Sequence, residues 1–399
     1  MKALSTNYNK GIPAVLIVVF SIFFLHSLLF TVDVEYGTGT WNAAVFGNHR
    51  AVARVEVKAD AVRLHIPWRR RDVHPEKKNI IIVDAKTGRR IKNIFRVTVN
   101  REFGDLIFQP LTTPGSYYIY YLPHVTSGRK NYPTIVYPEP EVTADGAWLK
   151  RHRLIAGNRM KGKWDKAKLL RIEAIDEFDS FYPMEVIATA AEVKALTAKH
   201  HNLSYLLFPE ERTFPIRMTR DLPLRWIKKG ISGTFRGQAA RGEFYAFQVG
   251  VYAVKQSISD LKVQFFDLRG SGDKHHIPAA LLRCINTGGT DWTGKKIRKV
   301  CPVKKGEVQA LWFGIAVPRA AEPGRYRGKL NITPASMETQ SIDLELEVLP
   351  EILADAGDSE PWRHSRLRWL DSTIALDDGI VPPFTPLKVD KKAGRISCL

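Results

Sequence analysis

Cysteine is scarce, with three in 399 residues. That is too few for a disulfide-stapled scaffold and leaves the fold to hydrophobic cores. Metal spacing is missing too. His200-His201 and His275-His276 have no third ligand at a recognisable distance, and adjacent histidines point apart on a strand or helix, so no metal and no cofactor is expected. No βαβ alternation runs through the chain, which excludes a (β/α)8 barrel from it. Acidic residues fall short of basic ones, 41 against 60, for a formal net charge of +19. The basic residues are scattered, with only short runs such as Arg69-Arg70-Arg71 and Lys295-Lys296. The excess therefore bears on solubility and partners, and no nucleic-acid partner is expected.

Apolar sequence is plentiful: 44% of residues are hydrophobic and 10% aromatic, enough for buried cores. Ile12–Phe30 is nearly unbroken apolar sequence, interrupted by Ser21, His26 and Ser27. As a helix it spans ~28 Å, close to a hydrocarbon core. Lys2 and Lys10 precede it and favour a cytoplasmic N-terminus. It reads as a secretory signal or an uncleaved signal anchor, with residues 1–32 as that segment and membrane attachment through the helix if it is uncleaved. The rest of the chain is expected outside the cytoplasm, anchored or secreted.

Beyond it the pattern is mainly β. Over 33–140, short alternating runs are punctuated by Gly88, Gly104 and Pro114-Gly115 at the spacing of a sandwich. Residues 141–214 read as a small α/β connector. In it Thr189 and Glu192 form a capping box for a helix over Ala190–His200. Residues 215–350 read as a second sandwich. Ile342, Leu344, Leu346 and Val348 face inward there, and Asp343, Glu345 and Glu347 face outward. Phe244–Val251 reads as a half-buried aromatic strand. Residues 351–399 read as a linker rich in Trp, Arg and Pro.

Two stretches carry a resemblance. One contains Ala240, Arg241, Glu243, Phe247 and Gln248. The other contains Trp312, Val317, Pro318, Ala321, Pro323, Gly324, Tyr326 and Gly328. Together they resemble the sandwich that precedes the catalytic barrel in glycoside hydrolase family 123. The resemblance spans Val32 to Val389. It implies a polysaccharide or glycan partner and, in the full enzymes, retaining hydrolysis of N-acetylhexosaminides assisted by the substrate's acetamido group through an adjacent Asp-Glu pair. Asp176-Glu177 is such a pair, but it precedes the sandwich rather than lying in a barrel, and it reads as a surface turn. The expectation is a non-catalytic N-terminal portion of an exported glycosidase, truncated before its barrel, with no catalytic residue assigned. The alternative is a free-standing surface glycan-binding or structural envelope protein.

Candidate carbohydrate-binding residues are Trp292, Asn286 and Asp291, in a loop rich in turn formers, and Trp68, which with the following arginines could form an aromatic and basic platform. An indole face stacks on the C–H face of a sugar ring. The competing reading has Trp68 capping a core and the arginines solvated. Cys284 and Cys301 flank the Trp292 loop, and a disulfide between them is geometrically possible. Glu243, near Arg241, reads as half of a structural ion pair.

Overall fold

The computed structural model describes residues 34–129, 131–155, 162–271, 275–373, 376, 379–380 and 382–397. The apolar stretch Ile12–Phe30 lies outside them. Among the described residues no helix is long and apolar enough to cross a membrane.

The first sandwich pairs a five-stranded with a four-stranded sheet. The larger sheet runs in the order Glu35–Thr38, Lys168–Ala174, His49–Val55, Gly115–Tyr121 and Ile80–Asp84. The smaller runs Asp165–Lys166, Val62–Ile66, Gly104–Phe108 and Ile94–Val99. Strand alternation sends Tyr117, Ile119 and Tyr121 inward, where Tyr117 meets Phe108 at 5.1 Å between ring centres. Tyr118 and Tyr120 face out of the sandwich, but they are not left to solvent. The Arg50 guanidinium lies 4.0 Å from the Tyr118 ring centre and 4.5 Å from that of Trp41, and its Nε donates to Glu173 at 2.6 Å. On the opposite outer face, Trp148 of the short helix Gly146–Arg151 covers Ile107 and donates its indole N–H to the Asp60 carbonyl.

One sequence boundary moves. Lys168–Ala174, assigned above to the connector, lies between two strands of the first sandwich, parallel to Glu35–Thr38 and antiparallel to His49–Val55. A strand returning from far along the chain completes the sheet, and local periodicity cannot show which sheet a strand joins.

The second sandwich sets Tyr205–Glu211, Phe244–Ala253, Val308–Ala316 and Leu282–Cys284 against a sheet built on Thr234–Arg241, Gln340–Ile352 and Gly324–Pro334. The inward alternation over Ile342–Val348 holds. The half-buried reading of Phe244–Val251 does not: all ten residues of Phe244–Ala253 are buried. Tyr245, Phe247, Val249 and Val251 enter the main core, while Tyr252 packs with Trp226 and Phe208 on the other face. Trp226 sits on Leu224–Lys229, a helix missed in the sequence because Pro223 and the short length hide its period. Gly250 permits this packing, since a Cβ there would lie 2.3 Å from the Trp226 ring.

Glu243 is fully buried, and its partner is not Arg241. Arg212 and Arg363 both bond its Oε1, and its Oε2 accepts from the Ala240 amide. Arg363 comes from the short 3-10 segments Pro361–Arg363 and Ser365–Asp371. The expected linker is thus docked on the second sandwich, with His364 edge-on to Trp312 and Asp371 at 3.2 Å from Arg283.

Candidate functional site

The connector Ile175–Ser204 joins the sandwiches, and polar contacts pin it to the first. Arg69 has φ 49°, in the left-handed region, and this turn follows directly on the buried Trp68. From there its guanidinium makes two bonds to Glu192, at 2.8 and 2.9 Å. The expected capping box is present with both halves, so Glu192 serves the helix Ala190–Lys199 and Arg69 together. Burial alone would push the Glu192 carboxyl up; the bonds from Arg69 and Thr189 outweigh it and hold the pKa below its ordinary value.

Between the first sandwich and the connector lies a cavity of about 370 Å3. His49, at the start of its strand, forms one wall, and Arg70, Arg71 and Asp72 another. Phe178, Phe181 and Tyr182 of the connector close it. His49 Nε2 donates to the Asp179 carbonyl at 2.8 Å, and its ring centre is 5.0 Å from that of Phe181. Burial, then the Arg70 charge, pushes its pKa down to about 3, so His49 is neutral. Arg70 Nε donates to Asp72 at 2.6 Å, and its guanidinium faces the Tyr121 and Phe181 rings. Burial pushes the Asp72 carboxyl up, but the Arg70 charge, the hydrogen bond from Arg70 and the Lys78 charge together outweigh it and hold it below the ordinary carboxylate range. Glu185 bridges Arg71 and Arg217, at 3.2 and 3.7 Å, and Arg217 lies 4.3 Å from the Tyr182 ring centre. Phe178 stands at the rim, 96% exposed.

An aromatic ring at the mouth, guanidinium donors and carboxylate acceptors in the walls, and a neutral imidazole make a surface suited to a polyhydroxylated ring. The aromatic face takes C–H groups, and the charged groups take hydroxyls.

The sequence candidates fall into different places. Trp68 is 2% exposed, with its indole N–H on the Asn100 carbonyl and its ring against Gly104, so it caps the core and offers no face to a sugar. Of the proposed platform, Arg70 and Arg71 do line the cavity, but their aromatic partners come from Phe178–Tyr182. The signal was present in the sequence as an aromatic cluster just after Asp176-Glu177. Asp176 itself caps a turn by accepting from the Asp179 amide.

Trp292 is 88% exposed at the end of the hairpin Gly288–Thr290 and Lys296–Arg298. Its two companions are occupied within the protein. Asn286 accepts from the Trp312 amide at 2.6 Å, and Asp291 accepts from the Thr293 and Lys295 amides and the Thr293 hydroxyl. Cys284 and Cys301 are buried free thiols in the second core; no disulfide joins them. Burial, then the neighbouring Cys284, pushes Cys301 up to about 11. Among the described residues no group of His, Cys, Asp and Glu is arranged to hold a metal.

The fold is a pair of β-sandwiches joined by a connector that encloses a polar, aromatic cavity. Residues 39–175 match the family model described as glycoside hydrolase 123, N-terminal domain. Residues 39–175 are thus similar to the N-terminal domain of family 123 glycoside hydrolases. Among solved structures, a family 123 glycoside hydrolase from Clostridium perfringens matches at 16% identity and TM-score 0.30, over 38% of this chain and 28% of its own. The match thus spans little more than a quarter of that enzyme's length. The major subunit of Myf fimbriae from Yersinia enterocolitica, solved with galactose, matches at 13% identity and TM-score 0.19, over 26% of this chain and 84% of its own. No curated protein matches the chain.

Proposed function

We propose that this chain is a non-catalytic, glycan-holding part of a family 123-like glycoside hydrolase system, working outside the cytoplasm. The observation that carries the reading is the coincidence of the family match over 39–175 with the cavity built on His49 and Arg70–Asp72 of that same region. The chemistry of the cavity favours holding over hydrolysis. A glycosidase acid must be a carboxyl kept protonated by a raised pKa. Asp72 is shifted the opposite way by Arg70, and Glu185 is shared between two guanidiniums. Trp292 offers a second stacking face on the other sandwich, with no polar side chain committed to a ligand beside it.

Export follows from the reading of Ile12–Phe30 as a signal or anchor, and cell fractionation tests it: the chain is expected in the membrane or extracellular fraction. The binding role is tested by calorimetric titration of the purified chain with N-acetylhexosamine oligosaccharides, alongside an assay on aryl N-acetylhexosaminides. Binding without turnover is the expected result. Measurable hydrolysis would overturn the non-catalytic role, and the absence of both leaves the structural envelope reading as the better one.

A further inference from the structure

A second cavity differs from the first in its charge. It is a cleft of about 760 Å3 where the first sandwich, the helix Ala190–Lys199 and the second sandwich meet. In the first cavity every lining arginine has a carboxylate partner: Arg69 has Glu192, Arg70 has Asp72, and Arg71 and Arg217 share Glu185. The cleft is not balanced in this way. Its acidic residues, Glu102 and Asp221, are both engaged internally. Glu102 accepts from the Ala190 amide at 2.6 Å, and Asp221 takes Arg101 at 2.6 Å. Lys194, Arg220 and Lys305 also line the cleft, and no carboxylate of the described residues is within ion-pair reach of any of them.

These three cations come from three separate elements, the helix, the loop before Asp221 and the turn before Val308. They converge beside apolar walls that include Val193, Leu222 and Tyr252. A cleft with surplus positive charge and a low-dielectric wall focuses field and attracts anions. Tyr252 is only 9% exposed and belongs mainly to the core, so the choice of an anionic polymer over bare inorganic phosphate rests on the size of the cleft, about 760 Å3, and on its three cations coming from separate elements.

We infer that this cleft binds an anionic polysaccharide, one whose sugar rings carry sulfate or carboxylate groups. The inference rests on the glycan reading above and names the class of glycan. It also gives a role to part of the +19 net charge, which the first cavity leaves unused. Sulfate and carboxylate supply the same recognition chemistry, a fixed anion on a ring.

The test is binding of the purified full chain to dextran sulfate, to polygalacturonate and to neutral dextran, at low and at high salt. The sulfated polymer, the carboxylated polymer or both are expected to bind more tightly than neutral dextran, with affinity falling as salt rises. The triple variant K194E/R220E/K305E is expected to lose affinity on the order of tenfold or more, from three exposed ion pairs reversed. A control reversing three exposed cations of the tail hairpin, K391E/K392E/R395E, is expected to bind as wild type. All six residues are exposed, so folding is preserved, and a thermal melt checks it. Equal loss in the control, wild-type binding by the cleft variant, or equal competition by double-stranded DNA at matched charge would overturn the inference. Neutral N-acetylhexosamine oligosaccharides are titrated in parallel. Retained binding of these with no preference for the anionic polymers sinks the cleft alone and leaves the proposed function standing.

Discussion

In the second sandwich the strand Phe244–Ala253 is buried on both faces, one against the facing sheet and the other under Trp226. In the first sandwich the strand His49–Val55 opens at its beginning onto a cavity, and its outward Arg50 lies between aromatic rings and Glu173. The two domains share a layout and use their outer faces differently. The second covers its outer face with a short helix, which lays Trp226 over Gly250 and bonds the buried Glu210 through Arg225, Trp226 and Lys229, and with a docked tail, which makes it a scaffold. The first covers its outer face with polar and aromatic groups that are already hydrogen-bonded. His49, Arg70 and Asp72, which line the cavity, are likewise hydrogen-bonded and keep their orientation, so the cavity is preorganised for a polar ligand.

That contrast can be broken most forcefully at Glu243. Removing it in E243A leaves Arg212 buried without a carboxylate and leaves Arg363 with Glu360 alone, and is expected to cost about 3–5 kcal/mol. Urea unfolding followed by tryptophan fluorescence measures it. W226A empties the site over Gly250 and is expected to cost about 3–5 kcal/mol as well. A loss under 1 kcal/mol in both would mean that the second sandwich is not the scaffold. Neither residue lines the first cavity.

The first sandwich is sharpened by pH. His49 has a folded pKa near 3 against an ordinary 6.5. The unfolded chain therefore binds this proton first, so the contribution is fully present above pH 6.5 and is lost as pH falls towards 3. H49Q is expected to flatten that limb of a stability–pH curve, and an unchanged slope would count against a neutral, buried His49. At the seam, T189A removes half of the capping box and is expected to cost about 1 kcal/mol in the same unfolding assay. W292A, at an exposed hairpin end, is expected to change stability by about 0.5 kcal/mol or less.

Much of this contrast was legible in the sequence, and the illegible part has physical causes. Strand alternation located the inward face of Ile342–Val348, and Thr189 with Glu192 announced the capping box, because both are local patterns. Sheet membership is not local, so Lys168–Ala174 was placed in the connector when it belongs to the first sheet. Double burial was hidden for the same reason: Phe244–Val251 reads as half buried until the Trp226 ring is laid over Gly250 and the Ile216 amide is bonded to Gln248. The cavity was half visible. Arg70 and Arg71 stood out as a basic run, but their aromatic partners lie more than a hundred residues on, and only the fold brings them together. Glu243 was rightly read as ionic, with the wrong arginine, since its partners approach from Arg212 and from the docked tail.

The most direct measurement is a calorimetric titration of an N-acetylhexosamine oligosaccharide, chitotetraose, into the wild type, F178A/R217A and W292A. Phe178 and Arg217 are exposed at the cavity, so their removal tests binding without testing the core. The account expects wild-type binding to fall on the order of tenfold in F178A/R217A and to persist in W292A. Binding that survives in F178A/R217A and disappears in W292A would contradict it and move the glycan site to the second sandwich.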